Sequence, residues 1–211
     1  VANELSGFAH RFVPAEGDDP NTLLLLHGTG ATRTTSSPRT HDQRQRRPPQ
    51  PARQGLGARH APLLQAPRRG IFDEEDLIRR THELAGFVEE AAGEYGIDRG
   101  RVWAVGFSNG ANIAASLLLL HPGLLAGAVL LRAMVPLEPD PTPDLSGTPV
   151  YLAAGRSDPI VPADNTERLA GLLEEAGADV TLDWQPGGHG IGRPEVDAAR
   201  SWLEGVLAKP S

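Results

Sequence analysis

Val102-Trp103-Ala104-Val105-Gly106-Phe107-Ser108-Asn109-Gly110-Ala111-Asn112-Ile113-Ala114-Ala115 passes from one apolar segment into another with no loop between them. Residues 102–107 are a short continuous apolar run, as expected of a strand buried on both faces. From Asn109 to Leu120 the composition turns to Ala, Ile and Leu, which favour helix, and Pro122 helps to stop it. At the junction stands Gly106-Phe107-Ser108-Asn109-Gly110, a G-x-S-x-G pattern. The pentapeptide is short enough to arise by chance, so its position carries the argument. A serine on a sharp strand-to-helix turn exposes its hydroxyl, and the helix N-terminus offers N–H groups to a developing anion. The competing reading makes Ser108 a helix cap and nothing more.

The same alternation continues on either side. Phe8–Val13 alternates apolar and polar residues and reads as an edge strand; 22–27, 126–131, 150–154 and 180–184 read as further strands. Helices are expected over 73–95, 165–176 and 195–207, the first with acids in its opening turn and Leu77, Leu84, Phe87, Val88 and Ala91 at helical spacing. Strands alternating with helices predict an α/β domain, a mainly parallel sheet with helices on both faces. The 211 residues suit one such domain over 1–211. Only eighteen residues separate the strands at 126–131 and 150–154, so no cap domain is expected.

A serine nucleophile needs a base, and the base needs an orienting carboxylate. Asp158 follows the strand at 150–154, and His189, in Gly187-Gly188-His189-Gly190, follows the strand at 180–184. Both therefore belong at the carboxyl edge of the sheet, beside Ser108, where such folds bind ligands. Asp140 and Asp144, after the preceding strand, are rival acids, and Asp158 before Pro159 also suits a plain turn. His10, His82 and His121 read as surface or cap residues. The anion stabiliser requires two backbone donors: Asn109, next after the serine, and Thr29 in His27-Gly28-Thr29-Gly30, with His27 a structural residue of that loop. A nucleotide loop is the alternative for 27–32, but it lacks the third glycine and the helix after it.

Composition excludes several classes. The chain has no Cys, so disulfides, a thiol nucleophile and cysteine-ligated zinc are ruled out. No apolar run approaches the ~18 residues of a membrane span. No basic-then-apolar leader is visible, which favours the cytoplasm. A net charge of −7 gives no reason to expect an anionic membrane as partner.

LLLLHGTG, VGFSNGANIAASLLLL, AAGRSDPIVP and GGHG, in that order, resemble the phospholipase/carboxylesterase family of α/β hydrolases, which includes bacterial carboxylesterases and acyl-protein thioesterases. The resemblance covers residues 8–30 and 71–207. It implies the α/β-hydrolase fold, a Ser108–Asp158–His189 triad, oxyanion donors at Thr29 and Asn109, and cofactor-free hydrolysis of a small-molecule ester. A thioesterase or lysophospholipase activity is the near alternative, and a catalytically impaired scaffold the distant one. Met134, Val135, Leu137, Ile160 and Val161 are expected to line an open site for short to medium acyl chains.

Residues 31–70 break the pattern. They hold nine Arg and six Pro against a single acid, Asp42, with almost no apolar periodicity. As a nucleic-acid surface the stretch lacks aromatic residues and a helical stripe, so no nucleic-acid partner is expected. A frameshift explains it better. Back-translating 48–70 and reading one base later permits SPRGKV, then GMPRFFRRLAEG running straight into Ile71-Phe72-Asp73. Reading 31–37 one base earlier permits GDEDDLL. Both pieces resemble what the family carries after HGTG. The expectation is therefore an irregular 31–70, missing a helix and a central strand, in a chain less stable and less active for it.

Overall fold

The computed structural model describes residues 3–15, 19–28, 54–59 and 74–208. Among them are eight strands: β1 (Asn3–Leu5), β2 (Phe8–Val13), β3 (Thr22–Leu26), β4 (Gln54–Arg59), β5 (Val102–Phe107), β6 (Gly127–Leu131), β7 (Pro149–Gly155) and β8 (Asp179–Gln185). They form one sheet in the order β1-β2-β4-β3-β5-β6-β7-β8. From β4 to β8 every neighbouring pair is parallel, while β1–β2 and β2–β4 are antiparallel. The helices are α1 (Glu74–Tyr95), α2 (Asn109–Leu120), α3 (Ala163–Glu175) and α4 (Arg193–Leu207).

The period-two alternation of the strands splits the core into two layers. Leu24 and Leu26 of β3, Val102 and Ala104 of β5, Ala128 and Leu130 of β6, and Val150 and Leu152 of β7 face one side. There they meet Leu77, Leu84 and Phe87 of α1, Ile113 and Leu117 of α2, and Leu169 and Leu173 of α3. The residues between them, Trp103, Val129, Leu131, Tyr151 and Ala153, face the other side and pack on Ala199 and Leu203 of α4. Each fully buried leucine contributes about 2 kcal/mol of burial. Every residue of α2 from Gly110 to Leu119 is buried, which explains why its sequence shows no polar face. This is the α/β-hydrolase arrangement, a mainly parallel sheet covered on both faces. The connection from β6 to β7 is irregular and carries no helix. No helix among the described residues is long and apolar enough to cross a membrane.

Four expectations change. Residues 31–70 are not irregular throughout, and the central strand expected to be missing is there: β4 lies between β2 and β3, with Leu56 opposite both Phe12 and Leu24. A ladder on each side satisfies its backbone whatever its side chains are, which hydrophobic periodicity cannot register. The rest of 31–70 lies outside the described residues. Second, β2 is not an edge strand; the three-residue β1 takes the edge and β4 the other side. Third, His10 is buried, not on the surface. It sits on the same side of β2 as Phe8, donates from Nδ1 to the Phe8 carbonyl (3.1 Å) and accepts from the Tyr95 hydroxyl at Nε2 (2.7 Å). Finally, β1 itself was not expected, three residues being too few to show a period. His121 does follow α2 as its cap, its N–H bonding the Leu117 carbonyl, and its ring meets that of exposed His82 at 2.8 Å.

Candidate active site

The carboxyl ends of β3, β5, β7 and β8 lie along one edge of the sheet, and the candidate residues gather there. β5 ends at Phe107, α2 begins at Asn109, and Ser108 between them has φ 54° and ψ −121°. Such a positive φ is costly for a residue with a Cβ, by about 1 kcal/mol or more. The turn is held by its backbone: Ser108 N–H donates to the Leu131 carbonyl (2.9 Å), and the Ser108 carbonyl accepts from Ala111 and Asn112 (2.8 and 2.9 Å). The Ser108 side chain makes no cap hydrogen bond to α2. A serine present only as a cap would be making that bond.

The two glycines of the pattern explain how a strand can turn so tightly into a helix. A Cβ on Gly106 would lie 2.4 Å from the Gly110 carbonyl oxygen, and one on Gly110 would lie 2.1 Å from that of Leu26. Either approach is impossible, so the start of α2 rests directly on the backbone of β5 and β3. Gly28, after β3, is also close: a Cβ there would be 3.4 Å from that of Ser108. The loop beginning His27-Gly28 therefore abuts the serine, and His27 Nδ1 donates to the Gly28 carbonyl (2.8 Å), as befits a structural residue. Thr29 lies outside the described residues. Asn109 is the first residue of α2.

His189 Nε2 lies 3.0 Å from Ser108 Oγ, and His189 Nδ1 lies 2.9 Å from Asp158 Oδ2. A carboxylate can only accept, so Nδ1 carries the proton and Nε2 is left with the lone pair that faces the hydroxyl. Asp158 Oδ1 accepts from the N–H groups of Ile160 (2.8 Å) and Val161 (3.1 Å). The Asp158 side chain is 1% exposed. Burial alone would raise its carboxyl, but the two amide donors and the His189 ring outweigh it and hold the group below the usual carboxylate range. Asp140 and Asp144 are exposed on the β6–β7 connection, where Asp144 accepts from the N–H of Ser146 (2.9 Å). The His189 loop is packed against the end of β7, since a Cβ on Gly155 would sit 2.4 Å from the Gly188 carbonyl oxygen.

The expected lining residues are placed unequally. Met134 and Val135 are half-buried, and their N–H groups donate to the side-chain oxygens of Asn112 on α2 and Asn165 on α3, both 2.9 Å. Leu137 and Val161 are buried, Leu137 within the main core, while Ile160, two residues from Asp158, is 57% exposed. The sequence reading missed Asn112 and Asn165, and also Arg132 and Glu195, two buried charged residues beside the histidine loop. A lone arginine at the end of an apolar strand was the available signal.

Known proteins match this arrangement. The sequence model described as Phospholipase/Carboxylesterase matches residues 67–207. A Bacillus subtilis protein named "Putative hydrolase MhqD" is 42% identical over 201 residues, covering 91% of this chain and 96% of that one. Among solved structures, a Bacillus cereus carboxylesterase superposes with a TM-score of 0.83 at 38% identity, covering 94% of each chain. A carboxylesterase from Mesorhizobium loti superposes with a TM-score of 0.80 at 30% identity, covering 97% of this chain and 99% of that one. With the sheet order, the sharp turn at Ser108 and the three strand-end residues already on the page, these matches agree on one conclusion: the chain belongs to the phospholipase/carboxylesterase family of hydrolases.

Proposed function

We propose that the protein is a serine carboxylesterase acting on carboxylic esters of short to medium acyl chains. The observation that carries this reading is the unbroken run of contacts from Asp158 through His189 to Ser108 at a strained strand-to-helix turn. His189 Nε2 takes the proton of Ser108 as Oγ attacks the acyl carbonyl, while Asp158 fixes the tautomer and stabilises the imidazolium. The oxyanion is met by the N–H groups of Asn109 and Thr29, each worth about 3–4 kcal/mol in comparable sites. His189 then protonates the departing alcohol. Water, deprotonated by the same nitrogen, cleaves the acyl-serine and returns the proton to Oγ. No cofactor enters these steps.

The described residues around the site support small soluble esters. The β6–β7 connection carries no helical cap, and Ile160 and Ile191, two residues along the chain from Asp158 and His189, are exposed. Two exposed aliphatic side chains offer a short apolar rest for an acyl chain. The test is a series of p-nitrophenyl esters of increasing chain length, run beside a thioester and a lysophospholipid, with fluorophosphonate labelling in parallel. Label on Ser108 and kcat/KM peaking at a short or medium acyl ester are expected. Preference for the thioester or the lysophospholipid would move the assignment to that substrate class, and folded protein that takes no label would be a scaffold.

The reading also treats 1–211 as one domain in which 31–70 is translated out of frame. The family match begins at residue 67, where the Arg- and Pro-rich composition gives way to the acidic start of α1. β4 is compatible with either frame, because its ladder is made by backbone alone. A chain rebuilt with the restored frame should melt higher and have the greater kcat/KM. An uninterrupted genomic frame encoding 44–69 as written would end this part of the reading.

A further inference from the structure

Arg132, directly after β6, combines two costly features. Its φ is 59°, and its side chain, though charged, is 1% exposed. A strained backbone and a buried cation persist together only where the surroundings hold them. The charge is matched by Glu195 in the first turn of α4, which takes Nη1 and Nη2 on its two carboxylate oxygens, the latter at 3.0 Å. The remaining donors go elsewhere. Nε donates to the Gly188 carbonyl (2.8 Å) and Nη2 to the Gly190 carbonyl (3.2 Å), the carbonyls of the two residues flanking His189. Nη1 reaches the Ala153 carbonyl on β7 (3.3 Å), and Nε stands 3.8 Å from Asp158 Oδ2, the oxygen that His189 contacts.

We infer that Arg132 is a positioning residue for this site: one guanidinium grips the histidine loop on both sides of His189, faces the acid, and is itself held by Glu195. The inference rests on the triad reading. A planar fork of five donors can satisfy the Glu195 carboxylate and both loop carbonyls at once; a lysine ammonium has a single nitrogen and cannot. Gly187, Gly188 and Gly190 give the loop little stiffness of its own. Fixing the carbonyls on either side of His189 sets where the ring lies between Asp158 and Ser108. A shift of about 1 Å there costs on the order of 100-fold in turnover.

The test compares the full chain with Arg132→Met/Glu195→Met, which removes both charges together and so leaves no orphaned buried ion, and with Arg132→Lys. Circular dichroism reports the fold, steady-state kinetics separate kcat from KM, and proton NMR follows the low-field resonance of the His189–Asp158 proton. The double variant is expected to keep its fold, lose about 100-fold in kcat with KM changed less than about threefold, and lose the low-field resonance. Arg132→Lys is expected to lose about tenfold. A folded double variant with parental kcat and resonance would overturn the inference; should that variant not fold, parental kcat in Arg132→Lys does the same. Fluorophosphonate labelling of the parent separates the two levels: a parent that takes no label at Ser108 refutes the triad reading itself, whereas a labelled parent with fully active variants refutes only the role of Arg132.

Discussion

Ser108→Ala should lower ester turnover about 10⁶-fold while the variant melts within a few degrees of the parent. The two halves of this expectation have separate physical grounds. Loss of Oγ removes the atom to which the acyl group must bond, and no neighbouring hydroxyl is placed against His189 Nε2 among the described residues. Stability should hardly change, because the turn is fixed by the Ser108 N–H and carbonyl groups, not by its side chain. Alanine at φ 54° is no more strained than serine. What should survive is the slow background left to oxyanion donors and substrate binding. Parent-like turnover in the purified variant would remove Ser108 from the chemistry.

Asp158→Asn should lose on the order of 10⁴ in kcat, again with the fold intact. The geometry gives the reason. Oδ1 accepts from the N–H groups of Ile160 and Val161, and an asparagine oxygen can keep both bonds. That choice turns the new NH2 group toward His189 Nδ1, where the carboxylate oxygen used to accept. Two donors cannot face each other, so the imidazole proton must move to Nε2, and the nitrogen facing Ser108 is no longer a base. Asp140→Asn and Asp144→Asn, both at exposed positions, should retain parental kcat. The reverse pattern across these three variants would transfer the acid role away from Asp158.

Much of this was readable before any coordinates because the informative segments are those whose burial is extreme. β5 and α2 begin and end at the residues expected of them, since a strand covered on both faces and a helix buried all round leave continuous apolar runs. Asp158 could be placed because it follows such a run closely, and His189 because it follows the short strand pattern at 180–184. What escaped was held by backbone or by charge. β4, Gln-Gly-Leu-Gly-Ala-Arg, has no periodicity to read and owes its place to two ladders. The pairing of Arg132 with Glu195 could not be read, because the partners are 63 residues apart and an ion pair has no sequence period. His10 was within reach: alternation puts it with Phe8 and Phe12 on one side of β2, and that side faces the core.

The two-layer core also has a consequence for biosynthesis. On the described residues, the layer containing Trp103, Val129, Leu131 and Tyr151 is closed by α4, which the ribosome makes after every strand of the sheet. At a synthesis rate of about 5–20 residues per second, β5 to β7 are complete seconds before α4 emerges to cover them. During that interval a row of aromatic and aliphatic side chains lacks the cover that α4 gives it, and Arg132 has no carboxylate from Glu195. The nascent chain should therefore be a client for chaperones that shield apolar surface, and nascent chains stalled before residue 193 should be far more sensitive to protease than those extended past α4.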